Sequence, residues 1–237
     1  MTGTLLNVAT VLLGGGLGLA FGARLPDRVR GTVVAGLGLF TFAMGLRMFT
    51  GSENPLIPLG SILLGAILGE WWRIEDRLLA LGARLEARFG GAAEDVGQKG
   101  RFIQGFLAAS LLFCVGPMTI LGSIQDGLQG DYSLLAIKSV LDGFAALALA
   151  STLGVGVLFS VVVVFTFQGG ISLLAAQANA VLSAPMIAEM TAAGGIILLG
   201  LSVGSLLELR PIRAGNMLPA LLLAPLIVWI IQLVGSG

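Results

Sequence analysis

Lys138 and Asp142 stand four residues apart in an apolar run, so on a helix they meet on one face. Exposing either charge to lipid would cost several kcal/mol, so both must turn inward and neutralise each other or another polar group. One reading is a static ion pair that fixes helix packing. The other is a pair that binds a solute or exchanges a proton during transport, as intramembrane ionisable groups commonly do. Upstream, Gly116-Pro117 interrupts a second apolar run, and Thr119, Ser123 and Asp126 follow it at spacings of four and three, with Gln125 beside them. Proline inside a helix removes a backbone donor and frees a carbonyl that only protein, water or ligand then satisfies. A broken helix is therefore expected, with a polar stripe descending from the break along a cavity. Asn7 and Gln168 are further inward candidates, and Gln104, Gln177, Asn179 and Asn216 are weaker ones. An isolated amide in such a helix more often bridges neighbours than touches substrate. The candidate binding set is thus Gly116, Pro117, Thr119, Ser123, Gln125, Asp126, Lys138, Asp142, Asn7 and Gln168.

Composition excludes most other chemistry. Of 237 residues, 56% are hydrophobic and only 11% charged, against roughly 25% in an ordinary soluble domain. Thirteen basic residues offset thirteen acidic ones, which gives no reason to expect a nucleic-acid partner. The chain has no histidine and one cysteine, Cys114, which has no basic neighbour to stabilise a thiolate. Zinc, haem and Ser-His chemistry are therefore disfavoured, as is an intramembrane enzyme, since no spacing sets a nucleophile beside a base. The methionines form no copper-binding stripe, no Gly-x-x-x-x-Gly-Lys-Ser/Thr motif occurs, and neither a cofactor nor a metal is expected.

The elements that must position these residues are membrane helices. A transmembrane helix needs about 20 mainly apolar residues to cross about 30 Å of hydrocarbon. Eight windows meet or approach that length: 4–23, 32–49, 56–72, 103–124, 133–152, 154–168, 189–207 and 216–234. The fold class is therefore all-α, a polytopic transmembrane helix bundle in a single integral domain with its fourth helix broken. Gln168-Gly169-Gly170 ends the sixth window early, and the weaker stretch 171–188 reads as a re-entrant or a surface helix. Eleven of the thirteen basic residues fall in the loops after spans one, three and seven. The opposite loops hold Glu53, Asp126, Asp131 and Glu189. The excess of Lys and Arg marks the cytoplasmic face, so both termini are expected outside, in a bacterial inner membrane. The opening Met1-Thr2-Gly3-Thr4 lacks the positive region of a secretory signal, and the first span is expected to be retained.

Between 72 and 101 the charge density rises. Ile74, Leu78, Leu81, Leu85 and Phe89 recur at spacings of three and four, which predicts an amphipathic helix along the cytoplasmic surface, ended by Gly90-Gly91. Trp71 and Trp72 mark the interface. The 36 glycines concentrate in the apolar runs and predict close helix packing. Segments 35–68 and 193–224 share Ala-Gly pairs (Ala35-Gly36, Ala193-Gly194), a later glycine and a proline, Pro58 against Pro219. This suggests an inverted repeat of spans 1–3 and 6–8 around a central hairpin.

The stretch Phe113-Cys114-Val115-Gly116-Pro117-Met118-Thr119-Ile120-Leu121-Gly122-Ser123-Ile124-Gln125-Asp126-Gly127 carries a further signal, with Gly130-Asp131 and Lys138-Ser139-Val140-Leu141-Asp142-Gly143 after it. Together they resemble the bacterial membrane family DUF554, the YqgA-like and YdfK-like proteins. The resemblance extends to Gly3-Thr4-Leu5-Leu6-Asn7, Gln168-Gly169 and Leu218-Pro219-Ala220-Leu221. It implies a cytoplasmic-membrane protein of several helical spans and brings no activity with it. The residues themselves point to a small transporter or channel-like permease for an ion or solute, with its site at the Gly116-Pro117 break. A non-transporting scaffold or accessory subunit is the alternative. A half-helix starting after Pro117 would favour an anionic group and Asp126 a cation or proton, so the sign of the solute stays open. The expected partners are the lipid bilayer, that solute and a second copy of the chain in a homo-oligomer.

Overall fold

The computed structural model describes residues 1–22, 26–77, 80, 84, 96–114 and 116–235, and they are all-helical. The elements are α1 (Thr2–Gly22), α2 (Asp27–Phe49), α3 (Leu56–Trp72), α4 (Val96–Cys114), α5 (Pro117–Gln129), α6 (Ser133–Leu153), α7 (Gly156–Leu173), α8 (Ala175–Val181), α9 (Ala184–Leu201) and α10 (Ala220–Gly235). A π-helical turn, Ser202–Leu206, follows α9, and a 3₁₀ turn, Ala214–Met217, precedes α10. Six of the helical stretches are long and apolar enough to cross a membrane. The pair Arg101–Cys114 and Met118–Gln129, bent by 61°, makes a seventh if it counts as one span. Helix α3, with 17 residues, is a shorter apolar helix of about 25 Å at 1.5 Å per residue.

Four sequence expectations change. The chain does not leave its helix at Gln168-Gly169-Gly170; α7 continues to Leu173, because a helix buried among neighbours tolerates the glycines that would weaken an exposed one. Helix α9 starts at Ala184 with Pro185 in its first turn, a position where proline lacks no needed donor, so Glu189 lies inside the helix and not in a loop. Asp126 likewise lies within α5. Gln177 and Asn179 are exposed on α8. Of the surface helix expected from Ile74 to Phe89, residues 74–77, 80 and 84 are helical and the rest lie outside the described residues, while the connector expected over 92–100 is helical from Val96.

The chain divides into two compact units. The first holds α1, α2 up to Leu37, α4, α5 from Met118, α6, α7 and α8 to Ala178. In it α1 lies along α6 in parallel, with Gly14 against Gly143, Gly18 against Leu147 and Gly22 against Ser151, each glycine facing a backbone carbonyl. Lipid supplies no hydrophobic drive for helices to pair, so dispersion at close approach must hold them, and a Cβ at these positions would prevent it. Helix α4 packs on α7 in the same close way, Gly156 meeting the Phe102 carbonyl and Gly105 meeting Val157 and, at the end of α6, Leu153.

The second unit holds α2 from Gly38, α3, α9, α10 and the turns between them. Here α2 and α9 run antiparallel: Gly45 and Gly195 approach each other's carbonyl reciprocally, and Gly38 meets Leu206 and Leu207. The Ser202 hydroxyl donates to the Gly38 carbonyl at 2.6 Å, tying the π-helical turn to α2. Helix α3 runs antiparallel to α10, with Gly65 on Ala220 and Gly69 on Asn216.

The α1–α6 seam is directly testable. Gly14→Ala or Gly18→Ala should cost about 1–3 kcal/mol through overlap with a fixed carbonyl, read as a melting-temperature drop of several degrees in the purified protein. Gly16→Ala, whose Cβ would meet open space, should leave the melting temperature unchanged or raise it.

Candidate functional site

Helix α6 is started by Asp131, whose Oδ1 accepts from the Ser133 backbone N–H at 3.0 Å and the Ser133 hydroxyl at 2.6 Å. These two bonds favour the ionised form and hold the Asp131 carboxyl below its ordinary range. At 1.5 Å per residue, Lys138 lies about 7 Å and Asp142 about 13 Å beyond the start of α6. Both are buried, and the Lys138 ammonium bonds to Asp142 Oδ2. The same oxygen accepts from Asn7 Nδ2 of α1 at 2.9 Å, and Asn7 Nδ2 donates again to Gln168 Oε1 of α7 at 2.9 Å. Four of the sequence-predicted residues, Asn7, Lys138, Asp142 and Gln168, are thus one hydrogen-bonded chain.

The broken fourth helix also forms. Pro117 lacks the N–H that would have bonded the Phe113 carbonyl four residues back. The Thr119 hydroxyl donates to that carbonyl instead, at 3.1 Å. Gly116 adopts φ +157° at the break. Thr119, Ser123 and Asp126 are all buried on one side of α5, as their spacing predicts. Gln125 is exposed: 3.6 residues per turn carries it round to the opposite face from Ser123. Asp126 does not join the Lys138–Asp142 chain. Its Oδ2 accepts from the Gly3 backbone N–H at 3.2 Å and pairs with the Met1 amino group at 3.0 Å, so it caps the start of α1.

The second unit contains a buried acid that sequence reasoning set in a loop. Glu189 on α9 is 1% exposed and accepts from the Ser52 hydroxyl at 2.7 Å and from the Glu53 and Asn54 backbone N–H groups at 2.8 Å each. It pins the turn between α2 and α3. The signal was Ser183 before Ala184-Pro185, which starts α9 early enough to draw Glu189 into its second turn. At the far end of α3, the Glu75 N–H donates to Asn216 Oδ1 at 2.7 Å, and Glu75 Oε2 accepts from the Gly215 N–H at 3.0 Å. Burial pushes the Glu75 carboxyl above its ordinary range, opposed by the Gly215 bond and the Arg213 charge. Arg213 also meets Glu70 at 3.1 Å. Among the described residues, no group of three or more acidic or thiol side chains is placed to hold a metal ion.

The family description "Protein of unknown function (DUF554)" matches residues 2–229. The chain belongs to the DUF554 family. It is 30% identical over 239 residues to "Uncharacterized membrane protein YdfK" of Bacillus subtilis (strain 168), covering 99% of each chain. It is 32% identical over 222 residues to "Uncharacterized protein YqgA" of Escherichia coli (strain K12), covering 94% of each. No solved structure matches. This DUF554 protein is accordingly a multi-pass membrane protein, and the Bacillus relative is itself named a membrane protein.

The break in the DUF554 chain gives a second test. Thr119→Val should strand the buried Phe113 carbonyl at a cost of about 1–3 kcal/mol, lowering the melting temperature of the purified protein. Thr119→Ser keeps the hydroxyl and should stay near the parent.

Proposed function

We propose that the protein is a permease for a small ion or solute in the bacterial cytoplasmic membrane. The observation that carries this reading is the buried chain of Lys138, Asp142, Asn7 and Gln168, because a helix bundle in lipid does not need a charge pair to be stable. Two of its amide atoms, Asn7 Oδ1 and Gln168 Nε2, are buried without a hydrogen-bond partner among the described residues. A polar solute or water entering the first unit would find both an acceptor and a donor there. The break between α4 and α5 supports the same reading, since discontinuous helices recur where transporters bind their cargo.

Helix directions support eight crossings. Helices α1 and α6 are parallel, which requires an odd number of crossings between them, supplied by α2, α3 and the bent α4–α5 pair. Helices α3 and α10 are antiparallel, which requires an even number, supplied by α4–α5, α6, α7 and α9. Both termini then lie on one side. With Arg28, Arg73, Arg77, Arg101, Arg210 and Arg213 on the other, that side is the outside.

The scaffold reading has one observation in its favour: Asp142 Oδ2 is already supplied with donors by Lys138 and Asn7. A doubly substituted protein, Lys138→Met with Asp142→Leu, decides between the two. Replacing a buried pair by apolar side chains is often neutral or stabilising by about 1–4 kcal/mol, so folding and melting temperature should be kept. In proteoliposomes screened with an ion, amino-acid and organic-acid panel, the parent should take up a solute and this variant should not. Equal uptake by both, or none by the parent, overturns the permease reading.

A further inference from the structure

The start of α1 lies between the second half of α5 and the last turns of α7. Asp126 of α5 accepts from the Gly3 N–H, and the next α1 residue, Thr4, packs beside Gly169 of α7. One turn on, Asn7 donates to Gln168 of α7. Gly127 of α5 packs on the Ser172 carbonyl of α7. Three helices therefore meet around residues 3–7, and all belong to the first unit.

Where α1 meets α5, four oxygen atoms lack a hydrogen-bond partner among the described residues, Thr4 Oγ1, Asn7 Oδ1, Ser123 Oγ and Asp126 Oδ1, and Ser172 Oγ of α7 lacks one as well. The residues of the first four are 0%, 0%, 0% and 3% exposed. A buried acceptor without a partner costs about 1–3 kcal/mol, more when it is ionised, and four in one place call for a shared partner. That partner must satisfy oxygen lone pairs from several directions at once. The set is one carboxylate, two hydroxyls and one amide carbonyl, all hard oxygen, with no nitrogen or sulfur ligand. A single carboxylate balances one positive charge, whereas calcium sites recruit several. The Met1 amino group pairs with the other carboxylate oxygen, Oδ2, which leaves Oδ1 to face the ion.

We propose that the α1–α5–α7 junction binds one monovalent metal cation, with sodium as its probe, through Thr4, Asn7, Ser123 and Asp126. The proposal rests on the permease reading only for its consequence, that this cation is the cargo or the coupling ion; binding itself is measurable without flux. The site lies about one turn of α1 from the Lys138–Asp142 chain, and Asn7 belongs to both. Its Nδ2 holds Asp142 and Gln168 while its Oδ1 faces the cation. Cation binding and the state of the buried pair are therefore coupled through one side chain.

The test is the melting temperature of the purified full-length protein in detergent against NaCl, KCl and choline chloride at equal ionic strength. Sodium is expected to raise it saturably, by several degrees, in line with mass-action stabilisation. Asp126→Asn removes the charged ligand but also weakens the cap on α1. Ser123→Ala and Thr4→Val, which remove oxygens engaged in no other bond, are therefore the deciding variants. Each should fold, melt as the parent does in choline chloride, and weaken the half-saturating sodium concentration about tenfold, the equivalent of 1.4 kcal/mol. Asp131→Asn, on the exposed loop before α6, should leave the sodium response intact. Identical melting in all three salts overturns the site, as does an undiminished sodium response in both deciding variants. If the site fails while proteoliposomes still take up a solute, the permease reading stands without it; if sodium binds and nothing is taken up, the site stands alone.

Discussion

In a bilayer no solvent is at hand to finish an unfinished hydrogen bond, and in the first unit that constraint converges on Asp142. Its carboxylate sits about 13 Å along α6, and among the described residues its donors are Lys138, one turn earlier on the same helix, and Asn7 from α1. An asparagine side chain is short. Ordinary helix pairs stand 8–10 Å apart axis to axis, a distance set by the side chains between them. The glycines at 14, 18 and 22 remove those side chains, bring the α1 backbone against the α6 carbonyls, and so put Asn7 within 2.9 Å of Asp142. The small-residue stripe and the buried charge pair are one device, since the stripe sets the distance at which the amide can serve the carboxylate.

The second unit meets the same constraint in a different way. Glu189 takes three donors from the turn that starts α3, two of them backbone N–H groups, and neither of its oxygens is left without one. Glu75 joins both its backbone and its carboxylate to the 3₁₀ turn before α10. Each acid therefore fastens one end of α3 to a neighbouring segment. Backbone donors do not rotate away as side chains do, so these are fixed fastenings. The acids of the first unit differ. Asp142 is served by two side chains, and Asp126 keeps one oxygen without a partner. Side-chain partners can change rotamer without unfolding a helix, so the surroundings of Asp142 can rearrange in a way that the backbone donors of Glu189 cannot.

How far this was legible in the sequence follows from how local each feature is. The Lys138–Asp142 pair and the buried stripe of Thr119, Ser123 and Asp126 depend on helical periodicity alone, and the structure has them as the spacing implied. Gln125 failed for the same periodic reason: adjacency along the chain is not adjacency in space. The continuation of α7 through Gly169-Gly170 was not legible, because glycine reads as a breaker until neighbouring helices are known to pack on it. Nor was the role of Glu189, since its donors come from residues 52–54, and no periodicity links positions more than 130 apart. Proline 117 announced a freed carbonyl. That Thr119 would fill it depended on the 61° turn of the chain, which only the structure supplies.

The filled carbonyl bears on the sign of the charge that the first unit favours. A half-helix starting at a break presents unbonded N–H groups and a positive dipole end, a preference for anions. At the other end of α5 the dipole is negative, and Asp126, three residues before Gln129, sits where its own helix repels it. It is held there by α1, whose positive N-terminal end it caps through the Gly3 N–H. The two dipole effects on Asp126 oppose each other, the Met1 amino group pairs with its Oδ2, and its Oδ1 keeps no partner. At the break the carbonyl that Pro117 frees is already engaged by Thr119, whereas around Asp126 the hydroxyls of Thr4 and Ser123 and the carbonyl of Asn7 remain without donors. Asp126 Oδ1 and Asn7 Oδ1 can only accept, and the Thr4 and Ser123 hydroxyls can turn their protons away and accept as well, Gln168 Nε2 being the donor nearest in the hydrogen-bonded chain. A surplus of buried acceptors attracts positive charge, so the balance of this unit inclines to a cation and not to the anion that the broken helix alone would suggest.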